Sequence, residues 1–234
     1  MNLEEPGDSS ADGRSRGQSA PRHREPPAGD AAGARSLLQW GVVAGPFYLA
    51  LAVGQGLVRD GFDFARHPLS VLANGPGGWV QTANFALTGA MVLAAAVGVR
   101  RALGPKSRGV TWCLGAYGLG MIAAAVFPAD PVDGFPPGTP VGFPTSISTT
   151  GLIHFIVGAL VFLFLAMSGL FAAWTMFRWR VARLAWLSLV SGLIVFFGFF
   201  GGIVLPMGIV GIWIAVVIGW AWLAAMSIRL MRPL

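Results

Sequence analysis

After residue 35, the stretch Arg59-Asp60-Gly61-Phe62-Asp63-Phe64-Ala65-Arg66-His67-Pro68-Leu69-Ser70 is the one segment that gathers carboxylate, guanidinium and imidazole. Such groups side by side can share a proton, act as acid and base, or bind a divalent cation. Asp130, Asp133 and His154 complete the acids and imidazoles beyond the N-terminal tail. The candidate catalytic set is therefore Asp60, Asp63, His67, Asp130, Asp133 and His154. Arg59, Arg66, Ser70, Asn84 and Thr88 are the candidate ligand-binding groups.

The same residues have a structural reading, which carries more weight because ion pairs and turns perturb such groups without any catalysis. Arg59 and Arg66 neutralise Asp60 and Asp63, while Asp130-Pro131 and Asp133-Gly134 are turn chemistry. His154 hydrogen-bonds a loop carbonyl. Axial haem ligation by His67 and His154 is disfavoured, since His67 precedes Pro68 and lies in extended backbone rather than on a facing helix. Ser70 beside His67 is half of a nucleophile arrangement at best, and caps a short turn ending at Asn74-Gly75 more readily. The single Cys113 excludes an internal disulfide and a multi-cysteine metal cage. No cofactor and no metal follow from these residues.

The elements that must position this set are hydrophobic. Of 234 residues, 55% are hydrophobic and 11% charged, against about a quarter charged in soluble domains. Long apolar runs alternate with short charged clusters, which is the pattern of a helical multi-span membrane protein rather than the alternating segments of a barrel. Six spans are predicted, over about residues 37–58, 80–99, 110–127, 152–177, 184–205 and 207–230. Gly201-Gly202 and Pro206 separate the last two. Residues 1–36, rich in Pro, Gly, Ser and mixed charge, are expected to form a disordered cytoplasmic tail, and residues 37–230 one six-span domain.

The net charge of +6 does not signal nucleic acid. Beyond the tail the basic residues sit at the ends of apolar runs. Arg35, then Arg100, Arg101, Lys106 and Arg108, then Arg178, Arg180 and Arg183, and finally Arg229 and Arg232 fall on one side of the six spans. The positive-inside rule makes that side cytoplasmic, with both termini in the cytoplasm of a cell (plasma or inner) membrane. Trp40, Trp79, Trp112, Trp174, Trp179, Trp186 and Trp222 lie near span ends as interfacial anchors. The acidic set then faces outward, and His154 lies about 5 Å inside the outer end of the fourth span. Asn84 and Thr88, one turn apart, floor an outer pocket or bond to neighbouring helices. Gly41 with Gly45, and Gly198 with Gly202, provide close helix packing, inside the bundle rather than at a dimer face.

The runs RDGFDFARHPLSVLANGPGGWVQTANFALTG and FPADPVDGFPPGTP, a Ser-rich segment and Gly151-Leu152-Ile153-His154 together resemble a family of bacterial and archaeal multi-span membrane proteins, domain of unknown function 998. The resemblance spans about residues 37–230. It implies a helical membrane bundle and supplies no activity or catalytic residue.

The expectation is an all-α fold: a six-helix transmembrane bundle with a disordered N-terminal tail and a short extracytoplasmic cap. An accessory or ligand-sensing protein with a polar recognition surface on that cap is the first functional reading. A membrane enzyme acting on a lipid or amphiphile through the outer Asp and His residues is the second, and a small-solute carrier or channel the third. Expected partners are the bilayer, a lipid or small amphiphile, and a membrane protein or second copy; nucleic acid is not among them.

Overall fold

The computed structural model describes Met1 and residues 28–142, 144–204 and 208–232. Six helices account for most of them: α1 (Ala28–Val58), α2 (Trp79–Leu103), α3 (Arg108–Val126), α4 (Thr149–Arg178), α5 (Ala182–Val204) and α6 (Gly208–Leu230). Each is long and apolar enough to cross a membrane. Among the described residues there is no strand, only one isolated antiparallel bridge between Val132 and Phe135. The tail expected over residues 1–36 lies outside the described residues from 2 to 27. α1 begins at Ala28, within the stretch expected as tail.

Consecutive helices pack side by side, and α1 closes the circuit against α6. Contact between α4 and α6 is sparse, and so is contact between α2 and α6. The bundle is thus a ring of six rather than two packed layers. Glycine makes the tight contacts of that ring. A Cβ at Gly45 would lie 2.7 Å from the Cβ of Trp220, and one at Gly41 would collide with the Ser227 hydroxyl. One at Gly198 would meet the Gly211 carbonyl at 2.8 Å. Both glycine pairs therefore serve contacts with α6 inside the chain, as small residues do between membrane helices.

Trp79, Trp112, Trp174 and Trp186 are exposed near helix ends, where interfacial anchors belong. Trp222 departs from that expectation. It is buried, and its indole N–H donates to Ser188 Oγ at 3.0 Å, tying α6 to α5. An indole with a polar partner is stable inside the protein.

One end of the ring carries a cap built from residues 59–78 and 127–148. Its own core is aromatic. Phe135 is fully buried, with Phe62 and His67 packed on it at ring-centroid distances of 5.4 and 5.6 Å. The Arg59 guanidinium lies over the Phe135 ring, 5.0 Å from its centre. Trp213 of α6 donates to the Phe64 carbonyl at 3.1 Å, fastening the cap to the ring.

Candidate functional site

The charged stretch after α1 is a clasp. His67 is 1% exposed, and both ring nitrogens are engaged. Its Nδ1 accepts the Asp63 backbone N–H at 2.9 Å. Its Nε2 must then carry the hydrogen and donates to the Asp133 carbonyl at 3.0 Å. The imidazole therefore bridges the two cap loops as a neutral ring with no lone pair left for a metal or a substrate.

Arg66 closes the same junction from outside. Its guanidinium grips the Asp133 carboxylate through two bonds, Nε to Oδ2 at 2.9 Å and Nη2 to Oδ1 at 2.6 Å. The Gly142 N–H also donates to Asp133 Oδ1, at 2.8 Å. Asp133 holds the turn with a left-handed backbone, φ 51°, followed by Gly134 at φ 89°. The expected pairing of Arg59 and Arg66 with Asp60 and Asp63 is corrected here. Arg59 donates instead to the carbonyls of Leu72 and Asn74, at 3.2 and 2.5 Å, ending the short 3-10 helix Leu69–Ala73. Asp63 accepts the Ala65 N–H in a local turn, and Asp60 is exposed with no side-chain hydrogen bond among the described residues. Ser70 caps nothing, since Pro68 holds the N-cap position of that 3-10 helix.

The Arg66 guanidinium and the Gly142 amide hold the Asp133 carboxyl below its ordinary value of 3.8. A carboxyl depressed in the folded state stabilises above the unfolded value and loses that contribution as pH falls through the folded one. The contribution of the clasp is therefore complete above the ordinary carboxyl value and fades as pH falls below it and through the depressed folded one. Thermal unfolding of the detergent-solubilised protein should show a midpoint that drops over that acid range, and D133N should lack that part of the drop. Parallel acid limbs in both proteins would rule the clasp out as the cause.

Asp130 serves a different element. Its carboxylate accepts the Ser148 N–H at 2.9 Å and the Ser148 hydroxyl at 2.5 Å. Ser148 is the N-cap of α4, its Oγ accepting the Gly151 N–H at 3.0 Å. A carboxylate at a helix N-terminus is stabilised by the helix dipole. Gly151 is the residue that permits it, because a Cβ there would strike the Asp130 carboxylate. The cap also sets the position of α4, and with it His154, about 7.5 Å into the helix at 1.5 Å per residue.

His154 is 9% exposed, and its Nδ1 donates to the Phe127 carbonyl at 2.7 Å. It makes no hydrogen bond to Asp60, Asp63, Asp130 or Asp133. The six candidate residues thus divide. Asp63, His67 and Asp133 join at the clasp, Asp130 caps α4, His154 stands apart on α4, and Asp60 is free in solvent. Among the described residues no three His, Cys, Asp or Glu side chains converge as a metal-binding group.

Beneath the cap, the ring encloses a cavity of about 1010 Å³. Arg66, Ser70 and Asp133 contribute to its roof, and His154 to its wall. Most of the remaining lining is apolar, from Leu165 and Val161 on α4 to Val216 on α6. Phe155, Ile203 and Val210 line it and are 57%, 47% and 45% exposed. They lie near the cap ends of α4, α5 and α6, where the cavity wall is partly exposed. Asn84 and Thr88 are not in its lining. They form a ladder within the α1–α2 contact, Asn84 Nδ2 donating to the Tyr48 carbonyl at 3.0 Å and Thr88 Oγ1 to Asn84 Oδ1 at 3.2 Å. Asn84 thus bonds across to α1, while Thr88 bonds within α2.

Sequence reasoning passed over Tyr48 and Tyr117, which line the cavity and flank Trp220 at 5.4 and 5.6 Å between ring centroids. A signal was present. They are the only two tyrosines in the chain, and both sit near the middle of a span, whereas membrane tyrosines favour the interfaces.

No curated protein and no solved structure matches the chain significantly. One family model does, over residues 42–229, covering α1 from its second half through nearly all of α6. The six-span ring, its cap and the enclosed cavity are thus features of a chain that belongs to the family described as protein of unknown function DUF998.

Proposed function

We propose that this protein binds a lipid-like amphiphile in the cavity beneath its cap, as a ligand-sensing or accessory protein of the cell membrane with both termini in the cytoplasm. The observation that carries the reading is the shape of the cavity. It is apolar over most of its lining, polar at its roof and partly exposed near the cap ends of α4, α5 and α6. Its volume of about 1010 Å³ stands at the upper end of the roughly 300–1,000 Å³ range of small-molecule sites. In this reading a ligand dissolved in the bilayer enters at that exposed wall without crossing water. The orientation rests on Arg100, Arg101, Arg108, Arg178 and Arg183, which flank the helix ends opposite the cap.

The bilayer is then solvent and source, and the cap a lid over the bound head group. Fluorescence quenching tests this. Trp213 and Trp220 line the cavity, so a dibromostearyl amphiphile bound there quenches them. In phosphatidylcholine nanodiscs, titration with dibromostearyl alcohol should quench saturably, and W220F should lose part of the saturable component. Quenching that rises linearly with bromolipid content, as from random collision, would end the reading.

A further inference from the structure

We infer that the cavity selects an uncharged amphiphile whose head donates a hydrogen bond, a long-chain alcohol in chemical class, with His154 Nε2 as the acceptor. The inference deepens the proposed binding reading and rests on it. His154 is nine-tenths buried, lines the cavity, and has Nδ1 committed as donor to the Phe127 carbonyl. Its other nitrogen has no hydrogen-bond partner among the described residues. On the neutral ring that nitrogen is a bare lone pair, so it accepts and does not donate. His154 stands in the cavity lining, so a ligand hydroxyl there can donate to that nitrogen.

The charges of the roof decide against an ionised head. Among the described residues Arg66 is the only cation in the lining, and it is already gripped by Asp133 through two bonds. An anionic head would share the roof with the Asp133 carboxylate and gain no free cation. A cationic head would find that carboxylate already satisfied by Arg66 and Gly142. Burying an unpaired charge costs more than burying a hydroxyl that is hydrogen-bonded. The remaining roof hydroxyl, Ser70, is uncharged and compatible with an alcohol.

Three probes with one chain separate the possibilities by the same quenching experiment: dibromostearyl alcohol, its methyl ether and dibromostearic acid. The full-length protein in nanodiscs should bind the alcohol about tenfold more tightly than the ether, the ratio one buried hydrogen bond is worth. The acid, presented as its anion at pH 8, should bind more weakly than the alcohol. His154→Phe should bring alcohol and ether to equal affinity, with saturable ether binding reporting that the variant is folded. Equal affinities for alcohol and ether in the unmodified protein would overturn the head-group assignment and leave amphiphile binding intact. Tightest binding of the acid would overturn it in favour of an anion site. Saturable binding of none of the three would instead overturn the proposed function itself.

Discussion

His67→Ala is expected to lower the unfolding free energy by about 3 kcal/mol, the largest loss available from one side chain of the cap. Three costs add. The substitution empties space in a site that is 1% exposed, between Phe62 and Phe135. It strips the Asp63 N–H and the Asp133 carbonyl of their partner, one on each loop. It also removes the imidazole bridge that joins residues 63–67 to residue 133, leaving the Arg66 clasp to hold the junction alone. That clasp is largely at the surface, where an ion pair contributes little. His67→Phe restores the volume but not the two bonds, so it should recover part of the loss. The control is Asp60→Asn, which touches an exposed carboxylate without a bond and should stay within about 0.5 kcal/mol of the parent. The check is heat unfolding in mild detergent with limited proteolysis of the cap at a fixed temperature. Matching midpoints and digestion rates for H67A and D60N would mean that the ring carries no weight.

The contrast between those two positions explains what the sequence could convey. The helices were legible because hydropathy over a span is a local property, summed over about 20 neighbours. All six appear where the apolar runs lie, and the glycine pairs at Gly41 and Gly198 take the internal packing role that their spacing suggests. The candidate residues depend instead on partners far along the chain. Arg66 has Asp60 and Asp63 close by in sequence, yet it binds Asp133, 67 residues away. His67 sits among charged neighbours, the usual mark of an exposed loop, and is the most buried ionisable side chain of the cap. Its burial follows from Phe62 on the near side and Phe135 from the other loop. Periodicity holds no information on that meeting.

Asp130 offered a local clue of a different kind. Ser148 followed by Thr149, Thr150 and Gly151 is a helix start in sequence terms, but the carboxylate that completes the cap comes from 18 residues earlier. The cavity was the least legible feature. It arises because six helices close into a ring in which α4 and α6 barely touch, and the sequence of one helix does not specify what faces it across an empty space. The mid-span tyrosines were the residues that could have pointed there.

Gly158→Phe separates the cavity from the fold, because the two effects of the substitution have opposite signs. Gly158 lines the cavity on α4, and a Cβ placed there meets no atom within 4 Å. A side chain therefore enters open space instead of a packed contact, unlike at Gly120, where a Cβ would strike the Val161 side chain. Within a helix, replacing glycine relieves a propensity cost of about 0.5–1 kcal/mol. Stability should hold or rise slightly. Binding should fall, since the phenyl ring occupies volume that a bound chain needs. Overpacking of about 1–3 kcal/mol corresponds to a loss of roughly one to two decades in affinity. Gly158→Ala, with one methyl group, should bind nearly as the parent does. The measurement is the saturable bromolipid quenching of Trp213 and Trp220, set beside the heat-unfolding midpoint of the same preparations. A stable G158F that binds dibromostearyl alcohol as tightly as the parent would place any bound amphiphile elsewhere on the bundle. A stable G158F that has lost binding would locate it in the cavity beneath the cap, alongside α4.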